Sequence, residues 1–136
     1  MISRKSFHDT PHGRRFLPVL DNSKFPAKQV LDLLNKPKTL DVMAYVSTHM
    51  TNRPMPALAM IVEELEKIEE IEKFFRSTPS SETLRFRQFV GMAVRLAMEE
   101  KGFTTTGRKA KFGAASRWFT LAEIFEPSSK SRSDKK

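Results

Sequence analysis

The sequence predicts a mostly helical α+β domain that closes with a C-terminal β-hairpin. Three observations predict it. Apolar residues recur at spacings of three and four through the middle of the chain, which is the helical period. After Gly102 the pattern changes to Thr- and Phe-rich segments of strand character. A length of 136 residues suits one domain with a core of its own.

The elements follow in order. Residues 1–22 hold Pro11, Gly13 and Pro18 without periodicity and are expected to form a flexible basic arm, followed by a single helical domain over 23–126. "FPAKQVLDLLN" sets Pro26 near a helix start, followed by Val30, Leu31, Leu33 and Leu34. Thr39 is placed to cap a second helix that carries Leu40, Met43, Ala44 and Val46. Asn52, Pro54 and Pro56 interrupt. A long helix is then expected over 57–76, with Leu58, Ile61, Val62, Leu65, Ile68, Ile71 and Phe75 on one stripe. "STPSS" ends it, and Ser80 or Ser81 is placed to cap the next helix, supported by Glu82. That helix stops at Gly102. Its apolar face is Phe86, Phe89, Val90, Ala93, Leu96 and Ala97, with Arg85, Gln88, Met92, Arg95 and Glu99 on the other side. "FTTTGRKAKF" and "SRWFTLAEIF" read as strands joined by a turn at "GAAS". The tail, 127–136, is poor in apolar residues and is expected to be a disordered basic segment.

Charge is plentiful and unevenly spread. Lys and Arg number 24 against 16 Asp and Glu, a net charge of +8. Residues 57–76 carry six Glu against Lys67, Lys73 and Arg76. Residues 101–117 carry Lys101, Arg108, Lys109, Lys111 and Arg117 with no acid. A basic patch of this kind points to a polyanion, nucleic acid before membrane.

A helix, a short turn, a second helix and a two-stranded basic hairpin make an element order that resembles the winged helix-turn-helix DNA-binding superfamily, over about residues 57–125. The resemblance lies in element order alone. It implies a winged-helix-like domain in which the helix Ser81 to Arg95 enters the major groove and the hairpin Arg108 to Arg117 is the wing. Ser81, Thr83, Arg85, Arg87, Gln88 and Arg95 are then the helix's DNA-binding residues and Arg108, Lys109, Lys111 and Arg117 those of the wing, with Lys101 and Thr105 between them. The chemistry of these residues agrees. Arg85 and Gln88 lie one turn apart, and Arg and Gln are bidentate partners of guanine and adenine. Hairpin cations release counterions on meeting phosphates, and Thr hydroxyls donate to phosphate oxygens.

The expected function is sequence-specific binding of double-stranded DNA by a transcriptional regulator, such as a repressor, acting as a cytoplasmic, nucleoid-associated homodimer. Two alternatives stay open. One is an RNA- or single-stranded-DNA-binding accessory protein that stacks bases on Phe112. The other is a protein-interaction module or inhibitor whose acidic helix meets a basic partner. The apolar stripe of 57–76 serves either a dimer seam or the core. Trp118, Phe119, Leu121 and Ile124 read first as core residues.

Other classes lack support. There is no cysteine, hence no disulfide framework or thiolate chemistry. No apolar run reaches the roughly 18 residues of a membrane span, and the first twenty residues lack the apolar centre of a secretory signal. His8 and His12 have i, i+4 spacing, but Pro11 and Gly13 argue against the helix a metal pair would need. Without a Gly-rich phosphate loop or a nucleophile elbow, no enzyme activity, cofactor or metal is expected.

Overall fold

The computed structural model describes residues 1–49, 56–111 and 121–127. Among the described residues seven α-helices form the body: α1 (Arg4–His8), α2 (Leu17–Asp21), α3 (Ala27–Leu34), α4 (Pro37–His49), α5 (Pro56–Glu66), α6 (Glu69–Ser77) and α7 (Ser80–Glu100). A 3-10 turn, Gly13–Phe16, joins α1 to α2. Two strands follow, β1 (Phe103–Lys111) and β2 (Leu121–Pro127), paired antiparallel in a ribbon.

This architecture corrects the α+β, winged-helix-like fold class. Helices make up most of the described chain and supply its buried core. Phe103, at the root of β1, is the one strand residue whose side chain is described in that core. The fold is therefore mostly helical, with α2, α3 and α4 all packed on α7.

The first 22 residues, expected as an arm, are folded onto the body. Ile2, Phe7, Phe16 and Val19 are buried there. Each of their helices is too short to show a period, so the sequence pattern hides them. Asn35, which caps the C-terminus of α3, holds the chain start with its side-chain amide. Its Oδ1 accepts from the Ile2 N–H at 2.9 Å and its Nδ2 donates to the Ile2 carbonyl at 2.8 Å. Gly13 approaches α1 so closely that a Cβ would lie 2.7 Å from the Phe7 carbonyl oxygen. Only glycine permits that contact.

The expected helix 57–76 is two helices. Ile68 adopts extended angles (φ −87°, ψ 122°) between them. The Lys67 and Ile68 amides close a tight last turn onto Glu64 and Leu65, and the Ile68 carbonyl then starts α6. A continuous helix would carry its stripe from Leu65 through Ile68 and Ile71 to Phe75. The break shifts that phase, so Phe74 is buried and Phe75 only partly so. Glu69, Glu70 and Glu72 fill the first turn of α6 and Arg76 its last, as the helix dipole favours. The apolar stripe Ile61, Val62, Leu65, Ile71 and Phe74 lies inside the core, which leaves it unavailable as a dimer seam.

The central helix is α7. It starts at Ser80 behind Pro79, with no side chain capping its N-terminus. Phe86 and Phe89 anchor it. Phe89 stacks on Phe7 (5.3 Å between ring centres) and meets Phe16 at 6.4 Å. Phe86 meets Phe74 at 5.0 Å, Phe75 at 5.9 Å and Phe25 at 6.3 Å. Further along, Val90, Met92, Ala93, Val94, Leu96, Ala97 and Met98 are all buried. Met92, expected on the polar side, is inside because packing encloses nearly the whole circumference there.

Truncating the hub tests this arrangement. Phe89→Ala should cost about 3–5 kcal/mol and lower Tm by roughly 10–20 °C in a thermal melt followed by circular dichroism. It should also weaken hydrogen-exchange protection in α1.

Candidate nucleic-acid interface

The expected site residues fall into two groups, set apart by α7. At its N-terminal half Ser81, Leu84, Arg85 and Gln88 form an exposed stripe. Ser81 and Arg85, with Pro18, Asn22, Lys24, Phe25 and Glu82, line an open cleft of about 450 Å³. Arg85 and Gln88 make no hydrogen bond or ion pair among the described residues. Thr83, between them in sequence, does not join them. Its side chain is 6% exposed and its hydroxyl donates to the Ser80 carbonyl at 3.0 Å. The Arg87 Nε donates back to the Thr83 carbonyl at 3.4 Å. Thr83 and Arg87 thus serve the first turns of the helix.

The other group lies past the C-terminus of α7. Arg95 pairs with Glu99 at 3.2 Å. Lys101 reaches across to Asp41 of α4 at 3.2 Å, tying the helix end to a second element. Gly102 then turns the chain at φ +92°, where any side chain would be strained, and delivers it into β1. Thr105, Arg108, Lys109 and Lys111 lie on β1. The register sets Thr105 opposite Phe125, Lys109 opposite Glu123 and Lys111 opposite Leu121. Between those pairs the ladder is irregular. Arg108 lies within this shift of register between Thr105 and Lys109. Arg117, Phe112, Trp118 and Phe119 lie outside the described residues, as do the "GAAS" turn, Asn52, Pro54 and the tail beyond Pro127.

Arg85 and Lys101 are sixteen residues apart on one helix axis, roughly 24 Å at the helical rise. Among the described residues, the structure does not bring the α7 group and the group at the root of β1 together into one patch.

Charge is sorted between elements. From 101 through 111 there is no acid, whereas Glu63 and Glu64 of α5 and Glu69, Glu70 and Glu72 of α6 are exposed. Cations of the first helices are used locally. Arg4 holds Asp21 with two hydrogen bonds, at 2.9 and 3.0 Å, Lys5 holds Asp9 at 2.6 Å, and Arg14 donates to the His8 carbonyl at 2.8 Å. Most positive charge of residues 1–22 is therefore engaged within the fold, unlike the expectation of a free basic arm.

One surface feature was not singled out from the sequence. On α4, Tyr45 is 62% exposed and its ring stacks on His49 at 4.1 Å. The His49 Nδ1 lies 2.9 Å from the Tyr45 carbonyl oxygen, which holds the imidazole in place. The i, i+4 spacing of Tyr and His in "YVSTH" was the available signal.

No protein-family model matches the chain, and no curated protein or solved structure shows significant similarity to it. No helix among the described residues is long and apolar enough to cross a membrane.

The Arg4–Asp21 contact yields a pH prediction. Hydrogen bonds from Arg4 hold the Asp21 carboxyl below its ordinary value, and those from Lys5, then His8, do the same for Asp9. A lowered carboxyl contributes stability that is present above the ordinary carboxylate range and lost as pH falls through the lowered value. Amide protection in α1 should therefore decline in hydrogen-exchange NMR as pH falls below the ordinary carboxylate range. Arg4→Ala should flatten that decline.

Proposed function

We propose that this chain binds nucleic acid by gripping phosphates along β1. The observation that carries the reading is the charge of that strand. It bears Arg108, Lys109 and Lys111, and no acid occurs from 101 through 111, whereas Glu63, Glu64, Glu69, Glu70 and Glu72 are exposed on α5 and α6. Each cation that meets a phosphate releases condensed counterions, which is the main sequence-independent source of affinity. Thr104, Thr105 and Thr106 add hydroxyl donors on the same strand.

A second reading, sequence-specific recognition of duplex DNA by a transcriptional regulator, is favoured by the exposed Ser81, Arg85 and Gln88 stripe. Arg85→Ala with Gln88→Ala would then change preference among duplex sequences while leaving the salt dependence alone.

The test of the phosphate grip is fluorescence anisotropy with labelled nucleic acid at several salt concentrations. Replacing Arg108, Lys109 and Lys111 with Ala should lower affinity roughly tenfold or more at low salt and make the salt dependence shallower by about three in log–log slope. An unchanged slope would remove β1 from the interface.

A further inference from the structure

We infer that the exposed face of α4 is a base-stacking platform, and that the nucleic acid gripped by β1 is single-stranded. The inference rests on the phosphate-gripping reading of β1 and names the form of nucleic acid it takes.

The placement comes from two contacts and one helical spacing. Asp41, on α4, accepts the Lys101 ammonium at 3.2 Å, which fixes this helix beside the root of β1. Tyr45 follows Asp41 by four residues, one helical turn along the same face. β2 packs against α4 as well. α4, which carries the aromatic face, therefore lies beside the ribbon at the root of β1, sixteen residues along α7 from Arg85.

The chemistry of the face suits bases. Lys38 is exposed, Val42 is 39% exposed and Tyr45 is 62% exposed, at successive spacings of four and three. His49 completes the row and covers one side of the Tyr45 ring, the planes inclined by 25°. A tyrosine already braced by a neighbouring ring gives up little side-chain freedom when a base stacks on it. Base–aromatic stacking tolerates any sequence, since every base has a π-face. It requires bases free of their own stack, which a regular duplex does not offer and a single strand does. Phosphates would follow β1 while a base lies on Tyr45, with Lys38 beyond it for a neighbouring phosphate.

The experiment uses the full chain and two probes of about 20 nucleotides, labelled oligothymidylate and a duplex of mixed sequence, read by anisotropy. Single strand should bind more tightly than duplex. Tyr45→Ala should weaken single-strand binding roughly five- to a hundredfold and leave duplex binding within about twofold. Tyr45→Phe should retain the affinity, because the ring and not the hydroxyl carries the contact. Tyr45 is exposed, so neither variant should lose its circular dichroism signal. Equal weakening on both probes, or none on single strand, would overturn the stacking platform. If the β1 variant still loses affinity in that case, the phosphate grip stands without it. Absence of binding to either probe would overturn both.

Discussion

Burial of the two phenylalanines on α7 is the constraint on which the rest of the structure depends. Phe86 and Phe89 sit one turn apart, 5.8 Å between ring centres, and each gathers rings from distant parts of the chain. Phe89 collects Phe7 and Phe16 from the first helices, and Phe86 collects Phe25, Phe74 and Phe75. Each buried ring contributes about 1.5–3 kcal/mol of transfer free energy, and tilted or offset pairs add somewhat more. No individual helix among α1, α2 and α6 is long enough to be stable alone in water. Their docking on this hub is what makes them helices.

That central position decides what remains for function. A helix that must bury Phe86, Phe89 and nearly all of 89–98 has only its N-terminal stripe to offer a ligand. Its C-terminal end serves differently, as the mount for β1. Gly102 turns the chain, and the Lys101–Asp41 pair ties the turn to α4. The acidic exposed faces of α5 and α6 leave the net positive charge to other surfaces. α4 and the root of the basic strand are thus neighbours because the same junction holds both.

Much of this was legible in the sequence, for identifiable reasons. α7 was readable over Ser80–Glu100 because Pro79 and Gly102 punctuate it and its apolar residues are many. α3 was readable from Pro26 and the Val30–Leu34 stripe. The break at Ile68 was not, because neither Gly nor Pro marks it, although the acids at Glu69, Glu70 and Glu72 do mark a helix start. Folding of residues 1–22 was hidden because Ile2, Phe7, Phe16 and Val19 are too sparse to show a period, and Pro11 and Gly13 looked like arm residues. Among the candidate binding residues, composition cannot tell that Thr83 is spent on Ser80 or Lys101 on Asp41. Tyr45 escaped notice since one tyrosine on a helix gives no pattern until its neighbours in space are known.

The most direct measurement is amide chemical-shift mapping of the isotope-labelled chain during titration with oligothymidylate. The account predicts the largest shifts in β1 and along α4 near Tyr45, small ones elsewhere, and none in the acidic turns of α6. Shifts centred on Ser81, Arg85 and Gln88, or on α5 and α6, with β1 unmoved, would contradict it.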